Sequence, residues 1–273
     1  CFGTGYSAQV IARRALAADW RVIGTYRDAE DAKTLSTLGI EPVLFEDAES
    51  ALEHVDAILS SVPPNDTGDP VLVRYGDLLS EISQNTWIGY LSTTGVYGDT
   101  GGALVNEMSE LNPSSDRSHR RVAAEKEWLK LPVHIFRLAG IYGPGRSSLD
   151  RLKRGLSRSI DFPGRRFSRI HVEDIAQTVI SSIQKPSPGS IYNLCDDEAI
   201  EQNQVEAYAA NLLGIAAPPL VPFEEALKDM SAMAKTFWQD SRRVDNSKIK
   251  QELGINLIYP TFREGLKALD QSS

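Results

Sequence analysis

Through the first half of the chain, short runs of β-branched and other apolar residues alternate with longer stretches whose apolar positions recur at helical spacing. Val22 to Tyr26, Val43 to Phe45, Ala57 to Val62 and Trp87 to Ser92 read as strands, with helices between them. The first of these helices, Ser7 to Asp19, carries Val10, Ile11, Ala15 and Leu16 on one side, the stripe of a helix docked on a sheet. A further strand is expected at Val133 to Leu138, after a helix over Arg120 to Lys130 that is rich in Ala, Glu and Lys. Such alternation is the signature of βαβ units, and it predicts an α/β fold with a doubly wound parallel sheet. From Ser147 onward the pattern loosens into turns at Pro163-Gly164, Pro186-Ser187-Pro188-Gly189 and Pro218-Pro219. We therefore expect one doubly wound domain over 1–146. A smaller α/β region follows over 147–273, with some segments returning to the first domain.

Composition narrows the picture. The 273 residues can bury a sizeable core, and the net charge of −8 argues against a general nucleic-acid surface, which needs clustered Lys and Arg. Cys1 and Cys195 have neither metal-like spacing nor the numbers of a disulfide framework, so no metal is expected and a reducing cytoplasm is the expected location. No apolar run approaches the ~20 residues of a membrane-spanning helix, and no signal peptide is visible.

The clearest local signal is Gly3-Thr4-Gly5-Tyr6-Ser7-Ala8, a Gly-x-Gly-x-x-Ala run leading into the first helix. Gly3 permits a tight turn, Gly5 lets backbone approach a pyrophosphate, and Ala8 stays small where helix meets strand; the free N–H groups at the start of the helix face the anion. Because the motif normally closes a first strand, residues of that strand are expected to precede Cys1. Gly3, Gly5, Tyr6, Ser7 and Ala8 are thus predicted to bind a dinucleotide. At the end of the second strand stands Arg27, where an NAD-selective site has Asp or Glu. Its guanidinium can pair with a 2′-phosphate, which favours NADP, with NAD as the alternative since Asp28 follows and a surface salt bridge would also explain the arginine. Ser61, Val62 and Pro63 close the fourth strand beside the cofactor.

Four more segments follow in order: Leu91-Ser92-Thr93-Thr94-Gly95-Val96-Tyr97-Gly98, Phe136-Arg137-Leu138-Ala139-Gly140-Ile141-Tyr142-Gly143-Pro144-Gly145-Arg146, Arg169-Ile170-His171-Val172-Glu173-Asp174-Ile175-Ala176 and Ile191-Tyr192-Asn193-Leu194. With the glycine turn they cover nearly the whole chain, which resembles the extended branch of the short-chain dehydrogenase/reductase superfamily, the nucleotide-sugar epimerase/dehydratase group. The resemblance implies that 1–146 form a Rossmann domain that binds the dinucleotide NAD or NADP and that 147–273 are mostly a substrate-binding region. It implies that Asp47 contacts adenine and that Thr93 hydrogen-bonds the reacting oxygen, although a strand-end threonine serving its own backbone is the simpler account. The pattern breaks at the catalytic Tyr-x-x-x-Lys: aligning Val122-Ala123-Ala124-Glu125 puts Arg117 and Arg121 at those two positions. Arginine stays protonated and cannot exchange a proton with substrate, whereas Arg121 could still donate to the nicotinamide ribose. Tyr97 is an alternative proton source. It shares with Tyr142 the plainer reading that the family keeps both as structural residues.

On the substrate side the resemblance points to Thr94, Tyr142, Arg146 and Arg243, with Asn246 beside it; Arg165-Arg166 also border the expected cleft and suit a phosphate or carboxylate. The short span between Arg146 and Arg165 suggests a smaller substrate than a sugar nucleotide. His171 is expected to be architectural, His119 solvated, and His54 and His134 without partners. A homodimer through the helix of Arg120 to Lys130 is a further implication. Two functions remain: an NADP-dependent reductase, epimerase or dehydratase acting on a hydroxylated small molecule, phosphorylated or nucleotide-sugar-like ones included, or a non-catalytic NADP-binding sensor or scaffold.

Overall fold

The computed structural model describes residues 1–231, 234, 235, 238 and 240–271. Strands Ala57–Ser60, Trp87–Thr93, His134–Leu138 and Ile191–Leu194 form one parallel sheet in that spatial order, and Ile23–Tyr26 pairs in parallel with Glu41–Leu44. Cys1 and Phe2 join the two ladders. Thr25 N–H donates to the Cys1 carbonyl at 2.9 Å, Phe2 N–H to Leu59 at 2.8 Å, and Ser61 N–H to Phe2 at 2.9 Å. The spatial order is therefore 41–44, 23–26, 1–2, 57–60, 87–93, 134–138, 191–194. The direction of winding reverses between residues 1–2 and 57–60, and ligands of open α/β sheets bind at the carboxyl ends of the strands at such a switch point.

Every residue of His134–Leu138 is buried, as is all of Trp87–Thr93 except the half-buried Thr93 at its end. Their alternation divides the core into two layers, because successive side chains leave opposite faces. Leu59, Leu91 and Phe136 pack with Val10, Ile11, Ile175 and Val179, from helices Tyr6–Leu16 and Val172–Gln184. Ile58, Ile88, Tyr90 and Ile135 pack instead with Val71, Tyr75, Leu79, Ala124 and Trp128, from helices Pro70–Ile82 and Asp116–Trp128. The last of these begins at Asp116, a turn before the expected Arg120, because Ser115 caps it by accepting from Ser118 N–H at 3.2 Å.

Beyond Ser147, helices Ser148–Lys153, Gln202–Leu212 and Phe262–Gln271 share a separate core of Leu149, Val205, Ala209, Phe262, Leu266 and Leu269. Short strand pairs, Ser159–Asp161 with Leu220–Pro222 and Arg166–Phe167 with Ile200–Glu201, complete this region. Helix Val172–Gln184, strand Ile191–Leu194 and helix Ser247–Leu253 return to the first core; the last ends at Gly254, whose φ of 70° is the left-handed C-cap that glycine adopts without strain. Among the described residues no helix is long and apolar enough to cross a membrane.

Candidate active site

The glycine turn lies at the switch point. Gly3 has φ 74°, and a Cβ there would come within 3.0 Å of Val62 Cγ2 and 3.1 Å of Ser61 Oγ. Gly3 N–H donates to Thr25 Oγ1 at 3.2 Å and Ser61 Oγ donates to the Gly3 carbonyl, so two strand ends clamp the turn. Gly5 differs. Its φ of −74° suits any residue, yet a Cβ there would meet nothing within 4 Å. Helix Tyr6–Leu16 starts with no side-chain cap and no acidic residue in its first turn, which leaves its first N–H groups for another acceptor. Ser7 and Ala8 are buried behind it. Tyr6 O–H donates to the Pro144 carbonyl at 3.1 Å, and the Arg146 guanidinium lies 5.6 Å from the centre of the Tyr6 ring. Arg146, expected on the substrate side, thus stands beside the dinucleotide turn.

Arg27 is exposed where strand Ile23–Tyr26 ends, with no ion pair among the described residues, and Asp28 takes the N-cap position of the next helix without capping it through its side chain. Asp47 is exposed on the short turn after Glu41–Leu44. Ser61, Val62 and Pro63 leave the carboxyl end of Ala57–Ser60, directly against Gly3. Ser60 Oγ is fully buried and, among the described residues, has no hydrogen-bond partner.

At the end of strand Trp87–Thr93, Thr93 caps the turn Thr94–Tyr97 by accepting from Gly95 N–H at 3.1 Å, so its hydroxyl hydrogen is available to another acceptor. Ser118, which no motif in the sequence marks, borders the same turn: Ser118 Oγ and Thr93 Oγ1 each lie 3.3 Å from where a Cβ on Gly95 would be. The signal that could have found Ser118 was its place three residues before Arg121 on one helix face. Arg121 is 7% exposed; its Nη1 donates to Tyr90 Oη at 2.7 Å and to the Leu91 carbonyl at 3.0 Å, and its buried Nε has no partner among the described residues. Arg117 is exposed.

Several expected site residues fall elsewhere. Tyr97 is fully buried, donates to Asn193 Oδ1 at 2.8 Å and accepts from Arg137 Nη1 at 2.9 Å, so its hydroxyl is engaged inside the protein, and burial raises its pKa. Thr94 is buried with its hydroxyl donating to the Leu138 carbonyl at 3.4 Å, and so has no face toward a substrate. Tyr142, 7% exposed, donates to the Thr261 carbonyl at 3.4 Å and packs edge-on against His171; it joins the two regions rather than lining a cleft. Arg243 points outward and donates to the Gly102 carbonyl at 3.1 Å, while Asn246 is buried against Cys195 and Asp197. The neighbour Arg242 turns inward. It donates to the Gly98 carbonyl at 2.8 Å and to Asp240 at 3.0 Å, and burial lowers its pKa. Arg165 approaches Asp99 at 3.9 Å, bringing a second half-buried arginine to the same loop. His134, expected without partners, is buried, with Nδ1 3.0 Å from the Ile88 carbonyl and Nε2 accepting from Ser187 N–H at 2.9 Å. His171 caps helix Val172–Gln184, and burial pushes its pKa down to about 4.

A buried polar network supports this end of the sheet. Arg137 Nη2 donates to Glu125 Oε2 at 2.8 Å, Ser92 Oγ donates to Glu125 Oε1, and Arg137 reaches Tyr97, which reaches Asn193. The strands and helix that carry the site are thereby tied together just beneath Thr93.

No protein-family model matches the chain. Protein YeeZ of Escherichia coli K12 is 30% identical over 277 residues, which span 94% of this chain and 94% of that protein. The solved structure of a functionally unknown conserved protein from Silicibacter pomeroyi superposes with a TM-score of 0.94 at 46% identity, covering 100% of this chain and 97% of that one. The dTDP-glucose 4,6-dehydratase of Bacillus anthracis, solved in complex with NAD, gives 0.78 at 20% identity with 99% and 94% covered. UDP-glucuronic acid 4-epimerase of Bacillus cereus, also solved with NAD, gives 0.74 at 14% identity with 99% and 96% covered. At these last identities the likeness is one of fold.

Proposed function

The chain belongs to the family of Escherichia coli protein YeeZ and has the fold of the epimerase/dehydratase branch of the short-chain dehydrogenases, and on that premise we propose that it binds a nicotinamide dinucleotide, preferring NADP, to act on a hydroxyl or carbonyl group of a small molecule. Gly5 carries this reading. Its backbone conformation does not require glycine and no atom of the described residues lies within 4 Å of where its Cβ would be, so the missing side chain makes sense as room for a ligand's close approach. Ser60 Oγ and Arg121 Nε are two further buried groups near these strand ends that, among the described residues, have no hydrogen-bond partner.

Gly3 to Ala8 would hold the diphosphate on the helix N-terminus, Arg27 would pair with the 2′-phosphate and Asp47 would accept from adenine. When bound, the nicotinamide gives or takes a hydride at C4. Thr93 donates its free hydroxyl hydrogen to the reacting oxygen while Gly95 N–H fixes its orientation. Arg117 cannot serve as the acid or base. A second reading, a non-catalytic NADP sensor, is favoured by Arg121, which spends two hydrogen bonds on Tyr90 and Leu91 where the family's lysine would serve the cofactor.

Gly5→Val tests the premise. It should leave the unfolding temperature unchanged within a few degrees and abolish the NADPH fluorescence response. Equal NADPH binding by wild type and Gly5→Val would remove the reading. NADPH oxidation at 340 nm across a panel of aldehydes, ketones and oxo acids then separates enzyme from sensor.

A further inference from the structure

We propose that Arg117 makes the crevice beside Thr93 an oxyanion site, so that the substrate carries a carboxylate or phosphate next to its reacting oxygen. This rests on the dinucleotide reading of that crevice. The placement follows from how helix Asp116–Trp128 runs along strand Trp87–Thr93. Arg121 bonds the carbonyl of Leu91 and the hydroxyl of Tyr90, inside the strand; Ser118, one turn earlier on the helix, lies against Gly95 just past the strand end, its Oγ 3.3 Å from where a Cβ there would be. Moving toward the start of the helix is moving off the carboxyl end of the strand. Arg117 shares a face with Arg121, with ~6 Å between their Cβ atoms, and so lies past the strand end, at the crevice.

Charge pairing singles out the same residue. On this helix Arg120 pairs with Asp66 and Arg121 is held by Tyr90 and Leu91, whereas Arg117 is exposed and, among the described residues, has no hydrogen-bond or ion-pair partner. On a chain with net charge −8, long-range attraction does not gather anions, so an anionic group must be held by direct contact. A guanidinium presents a planar fork that matches a carboxylate or phosphate with two parallel hydrogen bonds, and it stays charged at any working pH. With Thr93 donating to a hydroxyl or carbonyl oxygen, the arrangement fits a 2-oxo or 2-hydroxy acid, or a phosphate ester with a neighbouring carbonyl.

The test uses the full chain saturated with NADPH and three probes: oxamate as a planar carboxylate, inorganic phosphate as a tetrahedral anion, and acetamide as a neutral control. Binding is followed by NADPH fluorescence and by thermal shift. One anion should saturate and acetamide should not. Arg117→Ala should weaken that anion at least tenfold, Arg117→Lys should weaken it less, and both should bind NADPH within twofold of wild type. A response to oxamate assigns an oxo or hydroxy acid; a response to phosphate assigns a phosphate ester. Unchanged anion binding by Arg117→Ala, or no saturation of wild type by either anion, overturns the proposal while leaving dinucleotide binding intact. Failure of wild type to bind NADPH is a separate result that removes both.

Discussion

Replacing Glu125 with Gln should destabilise the protein far more than removing any surface ion pair. The Glu125 and Arg137 side chains are 2% and 3% exposed. Arg137 Nη2 donates to Oε2 at 2.8 Å, Nε reaches both carboxylate oxygens at 3.2 Å, and Ser92 adds a third donor. The glutamine amide would keep the shape of the carboxylate but leave the Arg137 guanidinium buried without its counter-charge. Breaking a buried pair in this way costs about 3–5 kcal/mol, against about 0–1 kcal/mol for an exposed pair such as Arg21–Glu41. At about 2–4 °C per kcal/mol for a chain of this size, the unfolding temperature should fall by roughly 6–20 °C. The assay is thermal unfolding of Glu125→Gln, of Arg21→Ala as the surface control, and of the double variant Glu125→Leu/Arg137→Met. Replacing both partners with hydrocarbon removes the unpaired charge, so the double variant should regain most of the loss. A drop below about 2 °C for Glu125→Gln, less than 1 kcal/mol would produce, or a double variant no more stable than the single one, would refute the reasoning.

Arg27→Asp should shift preference from NADPH toward NADH, by about tenfold or more in the affinity ratio, since one charge-assisted pair is lost and a like charge faces the phosphate; an unchanged ratio means that Arg27 does not read the phosphate. On any substrate found to turn over, Thr93→Val should lower kcat by roughly 10²–10³, as removal of one oxyanion donor does, and Thr93→Ser should restore most of it; full activity in the valine variant would take Thr93 out of catalysis. His171 is 2% exposed, its Nε2 has no hydrogen-bond partner among the described residues, and burial pushes its pKa down to about 4 from 6.5. The folded state favours the neutral ring, so its contribution is complete above pH 6.5 and is lost as pH falls toward 4, a change of about 3 kcal/mol. Asn keeps the cap acceptor for Glu173 N–H without titrating, so the stability difference between wild type and His171→Asn should fall by that amount between pH 6.5 and 4 in chemical denaturation; a flat difference would count against the buried neutral imidazole.

What the sequence revealed is what sits within a few residues of itself. The glycine turn, the uncapped helix start, Thr93 at a strand end and Gly254 after a helix are local signals, and the alternation of short apolar runs with helical periods was enough for a doubly wound sheet. Orientation was not legible. Tyr97 and Tyr142 stand in ordered motifs near strand ends, but their partners, Asn193 and Thr261, are 96 and 119 residues away, and those partners turn both tyrosines into the core. Arg242-Arg243 shows the same limit in its simplest form. The strand Arg243–Val244 alternates faces, and nothing in two adjacent arginines says which one its pairing with Leu104–Val105 sends inward. Arg121 aligned with the family's lysine, yet its length lets it reach back to Tyr90 and Leu91, a direction that only the packed helix reveals. Ser118 stands three residues before Arg121 in Ser-Asp-Arg-Ser-His, a spacing that puts both on one helix face, but that this face meets the turn at Gly95 is set by docking.

Calorimetric titration of the purified chain with NADPH, NADH, NADP and NAD tests the central claim most directly. The account predicts saturable binding at one site per chain, with the NADP pair at least about tenfold tighter than the NAD pair, the difference one phosphate–guanidinium contact supplies. Absence of binding by all four would contradict it, and would leave the open space above Gly5 without the ligand that gives it meaning.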